Sequence, residues 1–117
     1  MPRELYLVTA EPVTAEVVVR AAAEVDDRLA LRGLYGGAAL QLVGADDRAV
    51  LTVQSSRRLA DVSDLCRVTR GLLVSPGDEA WWTEALAPWG AAGDPGVAVV
   101  AGVARRLGGQ LRVEDGT

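Results

Sequence analysis

The stretch LQLVGADDRAVLTVQ, residues 40–54, leaves this chain few ways to fold. Leu40 and Leu42 alternate with Gln41, and Leu51 and Val53 alternate with Thr52 and Gln54. Strict alternation sends successive side chains to opposite faces of a strand, and Gly44-Ala45-Asp46-Asp47-Arg48 between the runs is a turn of hairpin length. The product is a hairpin with one aliphatic face and one face of Gln and Thr. The aliphatic face demands a second layer. The polar face is open to water or to a partner.

Two helical patterns supply the layer. Pro12 and Thr14 open the first, with Glu16 in its first turn, and Val17, Ala21 and Val25 recur at i, i+4, i+8 until Asp26 and Asp27 end it. The second has Asp94 as N-cap and Pro95 at its first position, an apolar face of Val97, Val100, Ala104 and Leu107, and a stop at Gly108-Gly109. Gly102 inside it costs about 1 kcal/mol against Ala, which a close helix–sheet contact would explain. Leu5–Val8 has the continuous apolar pattern of a buried strand; "RLALR" (28–32) and "QLRVED" (110–115) alternate like short strands. From Arg57 to Gly77 the pattern weakens: Val62, Leu65 and Cys66 suit a helical turn or a loop, Leu72–Val74 a short strand, and Ser75–Asp78 a turn. The strand–helix–strand at the start and the helix–strand at the end each permit a crossover. The expected fold is therefore a single α+β (mixed α/β) domain over residues 1–117, two-layered, with a mixed sheet of five to six strands and two helices on one face.

The alphabet narrows function more than fold. All 12 basic residues are Arg, and there is no Lys and no His. The commonest general base and metal ligand is thus missing, as is the amine of Schiff-base and P-loop chemistry. A single cysteine, Cys66, precludes an intramolecular disulfide and a Cys-based zinc site. The 16 acids give a net charge of −4 with no basic run, which argues against a phosphate-tracking surface and nucleic acid. No signal-like core precedes residue 12, and GVAVVAGVA (96–104) is far shorter than the ~20 residues of a span, so a cytoplasmic protein away from the membrane is expected.

Carboxylates come as local pairs (Asp26/Asp27, Asp46/Asp47, Asp61/Asp64, Asp78/Glu79, Glu114/Asp115) in turns or at helix ends, where Asp serves local hydrogen bonding. "GADDR" lacks calcium-loop spacing. Ser55-Ser56 beside Arg57-Arg58 suits either an anion or a strand exit into solvent. No catalytic, cofactor or metal constellation emerges, and none is assigned.

Three of the five aromatic residues fall within AWWTEALAPW (80–89). In a core of Ala, Val and Leu, one ring contributes a large share of buried area, roughly 150–250 Å². As a helix this segment aligns Trp82, Leu86 and Trp89; as a strand it puts Trp82, Glu84 and Leu86 on one face and Trp81 and Thr83 on the other. Either way Trp81 and Trp82 diverge. Trp82 is the expected volume filler, and Trp81 and Trp89 are the candidates for contact.

"LYLVTAEPVTAEVV", "GGAALQLVGADDRAVLTVQSSRRL", "WWTEALAP" and "GVARRLGGQLRV" together resemble a family of uncharacterised actinobacterial proteins associated with type VII secretion and polymorphic toxin loci. The resemblance implies that 80–86 is a strand and that the chain is an immunity or accessory factor holding a toxin or secretion component. It carries over no catalytic residue. The expected function is non-enzymatic protein binding, with Trp81, Trp89, Glu84, Gln41, Thr52 and Gln54 as partner-contact candidates, no cofactor, and self-association as a further option. A small regulatory or metabolite-binding domain is the alternative.

Overall fold

The structure, a computed structural model, describes residues 3–59 and 80–114. The expectations placed on Val62, Leu65, Cys66, Leu72–Val74 and Ser75–Asp78 lie outside the described residues. The chain runs β1 (Arg3–Thr9), α1 (Ala15–Val25), β2 (Ala30–Leu34), β3 (Ala39–Val43), β4 (Ala49–Gln54), β5 (Arg57–Leu59), β6 (Ala80–Ala87), α2 (Asp94–Arg106) and β7 (Gln110–Glu114). The strands form one sheet in the order β2-β3-β4-β6-β1-β7, with β5 also paired to β6. This is an α+β unit with both helices packed on one face of the sheet.

Every strand pairing among the described residues is antiparallel, where the crossovers permitted a mixed sheet. The reason lies in what each crossover skips. Helix α1 carries the chain from β1 past β6, β4 and β3 to the far edge, and α2 carries it from β6 to β7 across β1. Each helix thus joins two strands of the same direction, yet an antiparallel strand always lies between them. The strand not foreseen is β5. It continues β4 after a break at Ser55-Ser56, so that β4 pairs with the second half of β6 and β5 with the first.

The hairpin forms as its alternation requires. Leu40 faces Val53 and Leu42 faces Leu51, while Gln41 faces Thr52. Its turn is closed by Gly44 N–H donating to the Arg48 carbonyl at 2.9 Å, and Asp46 Oδ1 accepts from Arg48 N–H at 3.2 Å. Leu5, Leu7, Leu42, Leu51 and Val53 meet Val18, Ala21, Val99, Val100 and Val103 in the main core. Each such aliphatic side chain contributes about 1.5–3 kcal/mol on burial.

Both helices differ in detail from the expected stripes. On α1, Val18, Ala21 and Ala22 are buried, Val17 is half-buried and Val25 lies exposed. The stripe follows i, i+3, i+4 because α1 packs against α2 as well as the sheet. Thr14 does cap α1, its Oγ1 accepting from Val17 N–H at 3.3 Å. Asp94, in contrast, lies inside α2 and makes no cap; its carboxylate faces Arg3 at 3.2 Å. Gly102 is explained by the other helix: a Cβ there would lie 3.3 Å from Ala21 Cβ. The close helix–sheet approach belongs to Gly96, whose Cβ would fall 2.0 Å from the Val50 carbonyl oxygen. At the helix end Gly108 has φ +62° and Gly109 N–H donates to the Ala104 carbonyl at 2.8 Å, the left-handed stop its sequence requires.

Candidate functional site

The segment 80–87 is a strand, so Trp82, Glu84 and Leu86 share the sheet face opposite the helices with Gln41 and Thr52. Trp82 is only 2% exposed, yet it sits outside the main core, in a second cluster with Val8 and Ala80. Its ring stacks on Tyr6 with centroids 5.1 Å apart and planes 21° from parallel. Its Nε1–H donates to Glu84 Oε1 at 3.2 Å, and Arg57 Nη2 lies 3.7 Å from the same oxygen. A buried ring on one side and a guanidinium on the other therefore fix Glu84.

A second chain of contacts crosses the hairpin. Arg32 Nε donates to Gln41 Oε1 at 2.7 Å, and Gln41 Nε2 donates to Thr52 Oγ1 at 3.2 Å. These side chains are oriented by each other across three neighbouring strands. Between the two chains of contacts lies a concavity of about 670 Å³, lined by Leu34, Tyr35, Gln41, Thr52, Gln54 and Glu84 among others. An adjoining, more apolar depression of about 490 Å³ shares Thr52 and Leu86 and ends at Pro88 and Trp89.

Trp89 is 42% exposed, and its loop is held from below. Arg3 donates through Nε and Nη2 to the Pro88 carbonyl at 3.1 and 3.0 Å, and through Nη2 to the Gly90 carbonyl at 3.1 Å. The carbonyls on both sides of Trp89 are thus anchored to the first residue of β1.

Of the six contact candidates, Gln41, Thr52, Gln54 and Glu84 line one concavity, and Trp89 borders the depression beside it. Trp81 does not join them. It pairs across from Thr9 and Arg58 on the opposite face and is half-buried there. The serine pair serves the fold: Ser56 Oγ accepts from Val13 N–H at 2.8 Å and bonds Thr83 Oγ1 at 2.6 Å, while Ser55 Oγ donates to the Ala38 carbonyl at 2.8 Å. Sequence reasoning passed over Tyr35, which is 87% exposed with φ +53°. Its signal was available in Tyr-Gly-Gly, a run that favours left-handed backbone.

Asp26 is pulled below its ordinary value by hydrogen bonds from Arg28, whose own guanidinium is raised in return, and both lie at the surface. Among the described residues no group of three or more Cys, Asp or Glu is placed to hold a metal ion, and no helix is long and apolar enough to cross a membrane. Comparison of the chain with protein-family models, with curated proteins and with solved structures finds no match.

Proposed function

We propose that this chain is a non-enzymatic protein-binding factor that works through the sheet face opposite its helices. One observation carries this reading: Gln41, Thr52, Gln54 and Glu84 line a single concavity, with Gln41 held by Arg32 and Glu84 by Arg57, each from a neighbouring strand. Orientation before contact lowers the ordering cost of association. Exposed Tyr35 and Trp89 border this surface, and Tyr and Trp are the residue types that dominate binding hot spots. A stoichiometric binder needs shape and charge complementarity, which a chain without His and Lys can supply.

The resemblance in sequence supplies the finer role: an immunity or accessory protein that holds a toxin or secretion component in the cytoplasm, where a lone cysteine stays reduced. Neither membrane nor nucleic acid is part of this reading. Co-expression with the product of the adjacent gene tests it. The partner should co-purify with the wild-type chain, and Glu84→Arg should reduce recovery at least tenfold while the fold persists by circular dichroism. A partner retained equally by Glu84→Arg, or no partner and no protection from toxicity, refutes the reading.

The volume of the concavity supports a second reading, since about 670 Å³ lies within the roughly 300–1,000 Å³ span of small-molecule sites. A metabolite bound there would alter tryptophan emission in the wild type and leave Gln41→Ala unresponsive. Silence across a metabolite library would remove it.

A further inference from the structure

Strand β2 closes one side of the sheet, and among the described residues it pairs with β3 alone. An edge strand presents free backbone N–H and C=O groups that another extended chain can take. Two residues at this edge are arranged beyond what the fold asks for. Arg32 is the one charged residue of β2 and has no carboxylate at ion-pair distance among the described residues, whereas Arg3, Arg20, Arg28 and Arg57 each face one. Its Nε is committed to Gln41, which orients the guanidinium and leaves its two Nη groups for another acceptor. Tyr35 follows at the strand end with φ +53°, ahead of Gly36 at +67° and Gly37 at +96°. A tyrosine in left-handed backbone is strained, and a ring 87% exposed gains no burial in return.

We propose that the β2 edge takes an extended acidic segment of a partner protein, with a Glu or Asp against Arg32 and Tyr35 covering the segment's end. The inference rests on the protein-binding reading and names the partner's chemistry. Charge decides the occupant. A guanidinium with an open fork is completed by a carboxylate, which it binds through two parallel hydrogen bonds. A second copy of β2, Ala-Leu-Arg-Gly-Leu, brings another guanidinium and no acid. Ala30 and Leu34 share the face of Arg32, so the partner residues two positions either side of the acid are apolar.

The test uses the whole chain and two labelled peptides, Thr-Val-Thr-Glu-Thr-Val-Thr and the same peptide with Lys at its centre, followed by anisotropy and by backbone amide NMR. The Glu peptide should bind and shift the amides of Ala30–Leu34. The Lys peptide should bind at least tenfold more weakly, and Arg32→Gln should weaken the Glu peptide roughly tenfold or more. Tyr35→Gly should weaken binding without loss of stability, which a merely structural tyrosine would not do. Equal affinity for both peptides, no binding, indifference to Arg32→Gln, or shifts confined to Gln41, Thr52 and Gln54 would each overturn the proposal. So would concentration-dependent dimerisation that protects β2 without peptide. Capture of the adjacent gene product that Arg32→Gln leaves intact would sink the edge inference alone; loss of capture by the wild-type chain would sink the protein-binding reading instead.

Discussion

Ser56, Tyr35 and Asp26 each make a measurable prediction, the first because its side chain ties two segments together. Ser56 Oγ joins the loop before α1 to β6, through Val13 N–H and the fully buried Thr83. Ser56→Ala strands a backbone donor and a hydroxyl, and stability measured by urea unfolding should fall by about 1–3 kcal/mol. Tyr35→Gly acts in the opposite sense. It relieves a left-handed residue worth about 1–2 kcal/mol, part of which returns as entropy of the unfolded chain, so thermal scans should show a midpoint raised by a few degrees. Asp26 makes a pH prediction. Its folded pKa lies below the ordinary 3.8, so its contribution is present above that value and is lost as pH falls through the lower folded value. Asp26→Asn should therefore be less stable than wild type at pH 7, with the two denaturation curves converging in strong acid.

Glycines separate the two helix contacts at the level of elements. Gly96→Ala would place a Cβ 2.0 Å from the Val50 oxygen, and backbone at that distance cannot move aside without shifting α2 off β4. A loss of about 1–3 kcal/mol or more in urea unfolding is expected. Gly102→Ala is tight only against Ala21 Cβ at 3.3 Å, with Arg105 Nη2 at an ordinary 3.6 Å, and the gain of about 1 kcal/mol in helix propensity offsets the tight contact, so its midpoint should scarcely move. The same contrast shows what a sequence can and cannot convey. The hairpin, the caps at Thr14 and Gly108, and the polar set Gln41, Thr52 and Gln54 follow from alternation and turn chemistry, which act over a few residues. That Gly102 meets Ala21 depends on α1 packing against α2, from residues some 80 positions apart, and that Gly96 meets Val50 depends on α2 lying against β4; no local pattern encodes either. The assembled sheet also places Trp82. Its burial was expected, but its place opposite the helices follows from parity within β6 and the register of β6 against β1, which only the assembled sheet determines. Trp81 is turned away from Glu84 by strand parity alone, as the strand reading of 80–86 already required.

For the whole molecule, β1 is the strand on which the fold depends. It lies between β6 and β7, pairing Leu5 with Ala85 on one side and with Val113 on the other, and Leu5 and Leu7 are almost wholly buried. Its Arg3 also holds the carbonyls on either side of Trp89, so the first strand shapes the surface as well as the core. Strand β6 has the complementary part, because it alone joins the β2-β3-β4 half of the sheet to β1 and β7 among the described residues. The β1–β6 pairing closes a loop of roughly 80 residues, and the entropy of closure must be met before any contact across β6 stabilises the sheet. A fragment ending at residue 59 should therefore lack sheet signal in far-ultraviolet circular dichroism, despite holding an intact hairpin, since an isolated hairpin is marginal in water. Adding a separate fragment of residues 60–117 should restore the signal with a 1:1 endpoint. Repeating the mixture with Leu5→Asp in the first fragment should abolish recovery, because a carboxylate would then sit unpaired in the main core, where α2 meets β1. A stable, cooperatively melting sheet in the 1–59 fragment alone would show that the hairpin half folds by itself and that β6 merely extends it.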